Sequence, residues 1–198
     1  MLLRSSQLIN LPVMSLQTGE EIASSAKLVI NPDNMRIVAL ELGGDKLDEH
    51  PSFLRIEDIR ELGNIGFIVD SSEEFVGLED VISLKNIQEK KFQPVDMRVI
   101  DEQKHKLGKI YDTIFSTDNF IIEQICVKRP LFQSLGDTEL IIHRDQIVDI
   151  KEKEIIVRST AIKSRQKANR EVQQKQQIAN PFSKPQPSPQ PESSTATE

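Results

Sequence analysis

Read only for apolar and polar positions, the chain runs through one pattern and then repeats it. Ile22, Val29, Met35, Ile37, Leu40 and Leu42 are apolar around the polar pair Asp33-Asn34. Eighty-five positions further on, Leu107, Ile114, Phe120, Ile122, Ile125 and Val127 surround Asp118-Asn119 in the same way. The offset then drifts by three, and Leu54, Ile59, Leu62, Ile68 and Val69 match Ile142, Ile147, Ile150, Ile156 and Val157. Two copies of one small unit are the natural reading.

Short apolar runs bounded by turn residues predict strands in both copies. In the first unit, residues 1–70, they fall over 11–14, 27–30, 36–42, 52–56 and 67–69. Gln17-Thr18-Gly19-Glu20 and Asn31-Pro32-Asp33-Asn34 are turns, because Asp and Asn tolerate left-handed backbone and bond their own chain. One helical turn is expected over 57–62. In the second unit, residues 92–158, strands are expected over 95–100, 107–116, 120–127, 140–142 and 155–157, with a short turn over 143–149. The linker, 71–91, carries Leu78, Val81, Ile82 and Ile87 at amphipathic helical spacing, which suits a helix plugging a groove between the units. The fold class is therefore all-β: two tandem small β-barrels, a short helical linker and a tail. Residues 159–179 are polar with an apolar stripe too thin for a core-packed helix, and read as a projecting or partner-dependent helix. Residues 180–198, rich in Pro, Ser and Thr, are expected to be disordered.

Composition narrows the function. Seven basic and three acidic residues lie from Arg158 onward, which leaves 18 basic and 28 acidic residues in 1–157. An acidic body repels phosphate backbones, so direct DNA binding is not expected. RNA contact is disfavoured and falls to the basic tail alone, at Lys163, Arg165, Lys167, Arg170 and Lys175. With no Trp and one Tyr, stacking platforms for bases are scarce. The single Cys126 lies in the apolar run Ile125-Cys126-Val127 and reads as a small buried hydrophobe. The N-terminal residues lack the apolar core of a signal peptide. No stretch reaches the roughly 20 apolar residues that cross a bilayer. A cytoplasmic protein is expected, with peripheral contact at a membrane allowed.

Candidate chemistry is sparse. His50, His105 and His143 lie in separate turns without metal-ligand spacing. Gly43-Gly44 and Gly63-Asn64-Ile65-Gly66 lack the strand–loop–helix setting of a phosphate cradle. The acidic pairs Glu57-Asp58, Glu73-Glu74 and Glu79-Asp80 sit in polar turns or the linker, where solvated charge is the plain reading. No nucleophile-elbow motif occurs. No catalytic residue, metal or cofactor is expected.

The phrase Lys106-Leu107-Gly108-Lys109-Ile110-Tyr111-Asp112 and the later Ile142-His143-Arg144-Asp145-Gln146-Ile147 resemble the PRC-barrel family. Its members include the cytoplasmic part of a photosynthetic reaction-centre subunit and the C-terminal domain of a ribosome maturation factor. The first copy is more degenerate, with Ile22-Ala23-Ser24 where the family has its glycine. The linker resembles that of tandem PRC-barrel proteins of cyanobacteria and other bacteria. The resemblance spans about 5–158 and singles out Leu107, Gly108, His143 and Asp145 as structural motif residues, beside the turn residues Asp33, Asn34, Asp118 and Asn119 of the repeat. It supports fold more than function. It implies a non-enzymatic protein-binding adaptor or assembly factor, serving a photosynthetic or other membrane complex. The alternative is a ribosome-maturation factor that binds a basic ribosomal protein.

Overall fold

The repeated apolar pattern folds into two sheets that share one plan. The computed structural model of the chain describes residues 1–129 and 139–159. The first strand, β1 (Leu2–Arg4), crosses to the second sheet. The first sheet holds β2 (Pro12–Ser15), β3 (Glu21–Asn31), β4 (Arg36–Gly43), β5 (Ser52–Arg55), β6 (Glu61–Gly63), β7 (Gly66–Val69) and β8 (Phe75–Gly77). Their order is β6-β7-β2-β3-β4-β5-β8. The second holds β9 (Arg98–Asp101), β10 (Lys106–Ser116), β11 (Ile122–Lys128), β12 (Glu139–His143), β13 (Ile147–Ile150) and β14 (Glu154–Val157). Its order is β12-β11-β10-β9-β14-β13, with β1 added on β10. Each sheet has one parallel pair, β2 with β7 and β9 with β14.

The irregularities repeat as faithfully as the strands. In β3 the register with β4 shifts between Ser25 and Lys27 and again between Val29 and Ile30. In β10 the register with β11 shifts between Ile110 and Asp112 and between Ile114 and Phe115. Each shift recurs 85 residues later. Bulges of this kind bend a strand and increase its twist, which lets a short sheet wrap around its own core. That core is Val13, Ile37, Leu40, Phe53, Leu54 and Phe67 in one copy and Val99, Phe115, Ile122, Ile125, Ile142 and Ile155 in the other, all fully buried. Cys126 is equally buried, and burial pushes its thiol up, so it stays protonated.

Several elements differ from their expected places: the segment expected as a turn over 143–149 ends in strand β13, the strand expected over 95–100 begins only at Arg98, and the helix and the turn after β5 also depart. The helix α1 (Ile82–Glu89) does not plug a groove between the units. Leu84 packs on Val29, Ala39 and Phe53 of the first sheet, flanked by Val38, Val76, Leu78, Val81 and Ile87. The reason is β8, which lies inside the predicted linker but pairs with β5 and delivers the chain onto that sheet face. The helical turn expected over 57–62 is shorter, a 3-10 turn at Ile56–Asp58, because Glu61–Gly63 leaves it to pair with β7.

The β3–β4 and β10–β11 turns meet each other. Asn34 Oδ1 accepts the Arg36 N–H at 3.1 Å, and Asn119 Oδ1 accepts the Ile121 N–H at 2.9 Å. Both bonds draw the intervening residue into left-handed backbone, with φ of 56° at Met35 and at Phe120. The carbonyls of those residues then face the opposite copy. Ile37 N–H donates to Phe120 O at 2.9 Å, and Ile122 N–H donates to Met35 O at 2.7 Å. The segment preceding each copy also lies on the long strand of the other. β1 pairs with β10, and α1 packs beside β3. The expected result is that the Ile37 and Ile122 amides exchange hydrogen only through global unfolding. Hydrogen exchange by NMR checks this, and faster, separate opening of either amide would show that the two copies unfold independently.

Candidate docking cleft on the second sheet

On the second copy a depression lies where β9, β10 and β11 run side by side. The β9–β10 register shifts between Lys106 and Gly108. Gly108 sits there at φ 150°, a conformation that side chains rarely adopt. A Cβ at this position would lie 2.1 Å from the Lys128 carbonyl oxygen. Bare backbone at this point lets the strands close up and leaves a depression of about 580 Å³ beside them. Half-buried Ile100 and Tyr111 supply apolar surface to its lining, above the buried Val99 and Ile110. Tyr111 stands at the bulge of β10, and its hydroxyl accepts a hydrogen bond from Arg4 Nη1 at 3.1 Å.

The same lining includes Arg98, Lys106, Lys109, Lys128 and Arg129, with Asp96 the one carboxylate among the described residues. Arg98 pairs with Lys109 across one ladder, and Lys109 pairs with Lys128 across the next. These three exposed cations therefore form a row over three adjacent strands. Among the described residues, Arg98 alone of the five cations has an ion-pair partner, Glu154 at 3.9 Å. No histidine, cysteine or serine is found among the described lining residues. The chemistry this arrangement offers is recognition: apolar surface inside, positive charge around it.

The turn that follows β9 is held by a buried acid. Asp101, 2% exposed, accepts the N–H of Gln103 at 2.9 Å, the N–H of His105 at 2.8 Å and a hydrogen bond with His105 Nδ1 at 2.9 Å. Burial pushes its carboxyl up, but the His105 ring and the two N–H donors outweigh that and hold it below the usual value. This anchor fixes the β9–β10 hairpin, and with it Lys106 and Gly108 at its far side.

The residues singled out in the sequence fall in different places. Asp33 and Asn34 lie in one clasping turn, Asp118 and Asn119 in the other. Asp33 pairs with Lys90, and Asp118 pairs with the N-terminal ammonium at 3.4 Å. Leu107 is buried in β10, and Gly108 lines the cleft. His143 precedes the 3-10 turn Arg144–Gln146, where its Nδ1 accepts the Asp145 N–H at 3.3 Å. Lys163, Arg165, Lys167, Arg170 and Lys175, with the segments 160–179 and 180–198, lie outside the described residues. The cationic rim went unseen because the charge was summed over the whole body. A comparison of the two copies position by position would have found it.

Comparison with known protein families bears on the second copy. The family model of the PRC-barrel domain matches residues 89–163. The chain thus carries a PRC-barrel domain, and the match covers the copy that holds the cleft. No curated protein matches the chain. A crystal structure from Pseudomonas aeruginosa, described as the 16S ribosomal RNA processing protein RimM, covers 80% of this chain and 97% of its own, at 15% identity and a TM-score of 0.28.

Two substitutions test the local architecture. Gly108→Ala is expected to cost about 2 kcal/mol or more, from strained backbone and the clash with Lys128, read as a lower urea midpoint. Asp101 gives a pH dependence. A carboxyl held low in the folded state contributes stability that is complete above its unfolded value and lost as pH falls through the folded one. Wild type is therefore expected to lose stability as pH drops below the ordinary aspartate value of 3.8. Asp101→Asn is expected to start about 1–3 kcal/mol lower at neutral pH and to fall less steeply in acid. Parallel slopes for the two proteins would remove Asp101 from this role.

Proposed function

We propose that the chain is a non-enzymatic adaptor or assembly factor that holds a protein partner in the cleft of its PRC-barrel domain. The observation that carries this reading is the cleft itself. It joins an apolar floor to a charged rim on paired, bulge-anchored strands. Rigid strands suit recognition, because little ordering entropy is lost on binding. The second reading, a ribosome-linked factor holding a basic ribosomal protein, draws on the 18 basic and 28 acidic residues of 1–157. Such a partner would have to meet the acidic surface elsewhere, since the cations of the rim repel it. Among the described residues no helix is long and apolar enough to cross a membrane. Service to a membrane complex would thus run through a partner or a peripheral contact.

Site-specific photocrosslinking in cells tests the proposal. A benzophenone side chain at Ile100, which lines the cleft, is expected to give a discrete protein adduct. The same group at Ile65, exposed on the first copy, is expected to give none. Equal labelling from both positions, or none from Ile100, would overturn docking at the cleft.

A further inference from the structure

We infer that the cleft takes a short acidic segment of a partner protein, which sets an apolar side chain on the floor and its carboxylates against Arg98, Lys109 and Lys128. The inference rests on the docking reading above and gives that reading its chemistry.

The first argument is the arrangement of charge. Like charges directly opposite on neighbouring strands destabilise a sheet. Here three cations stand in consecutive cross-strand pairs, Arg98 with Lys109 and Lys109 with Lys128, and the row ends in Glu154 opposite Arg98 and Glu139 opposite Lys128, so Lys109 at its centre faces a cation on either side. The second argument is that the fold does not require them. Ladder register equates β2 with β9, β3 with β10 and β4 with β11. Pro12 pairs with Ser24, which pairs with Gly43, just as Arg98 pairs with Lys109, which pairs with Lys128. Lys106 stands where the first copy has Glu21, and Arg129 where it has Gly44. Five cations on one copy thus correspond to no cation on the other. The bulge residue Tyr111 likewise corresponds to Ala26. The scaffold forms in both copies, so the added charge and the aromatic floor answer to something outside the scaffold.

The third argument selects the ligand. Residues 1–157 carry 18 basic and 28 acidic residues, so the row is a local exception on an acidic body. A bilayer or a nucleic acid extends beyond the roughly 8 Å screening length and meets that whole field. A short peptide segment meets mainly the row. A concave space of about 580 Å³ with apolar surface also suits an inserted side chain better than a flat headgroup layer.

Fluorescence anisotropy on the full chain tests this with a labelled synthetic peptide of alternating glutamate and leucine. Comparators are the same peptide with glutamine for glutamate, the peptide with serine for leucine, phosphatidylglycerol vesicles and oligouridylate. The glutamate–leucine peptide is expected to bind best. Lys109→Gln with Lys128→Gln is expected to weaken it about tenfold, at about threefold per exposed charge, while Lys46→Gln on the first copy leaves it unchanged. Equal affinity for the glutamine or serine peptide, an unaltered affinity in the double variant, or preference for vesicles or oligouridylate would overturn the inference. If peptide binding fails while the Ile100 adduct persists, the acidic ligand is wrong and docking stands. If both fail, both readings fall.

Discussion

Two backbone hydrogen bonds between the hairpin turns, Ile37 N–H to Phe120 O and Ile122 N–H to Met35 O, set the relation between the halves of this molecule. Ile37 and Ile122 are fully buried, and a buried amide left without a partner is costly. Each turn therefore needs the other. The bonds form only because Asn34 and Asn119 hold the next residue in left-handed backbone, a conformation that disfavours Met and Phe by about 1 kcal/mol or more. Packing recovers that cost. Met35 is buried, and the Phe120 ring stacks on Phe115 with centroids 5.6 Å apart. The N-terminal strand on β10 and the helix beside β3 reinforce the same contact from either side.

The cleft depends on this frame at one remove. Its floor is made by β9, β10 and β11, and its shape by one residue without a side chain. Gly108 allows the close approach to Lys128, while Asp101 holds the hairpin that places it. The first copy has Ala23 at that position and has its own glycines at Gly43, which ends the facing strand β4, and at Gly44 just beyond it. The same architecture thus tolerates a different distribution of glycine, and the surface above it changes with that choice.

Much of the fold was legible because it was written twice. The apolar spacing around Asp33-Asn34 and Asp118-Asn119 located both long hairpins. The motif Leu107-Gly108-Lys109 pointed to the family and to the glycine at the centre of the cleft. Strand β8 was missed because Phe75, Val76 and Gly77 are too few to show alternation, and its partner β5 is distant in sequence. The helix was found, but its seat was not, since Ala39 and Phe53 become neighbours of Leu84 only through strand pairing. The cationic row was hidden for the same reason. Arg98, Lys109 and Lys128 are spread over 31 residues and become adjacent only through ladder register.

The reciprocal contact between the turns has the form of an isologous interface, in which one surface meets its own counterpart. In a two-chain assembly of that kind every substitution appears on both subunits, and any cost of crowding charge is incurred twice. Joining the copies in one chain removes that constraint. One half can keep Pro12, Ser24 and Gly43 as plain scaffold while the other carries Arg98, Lys109 and Lys128. The molecule is thereby given a front and a back, and a partner can meet it in a single orientation.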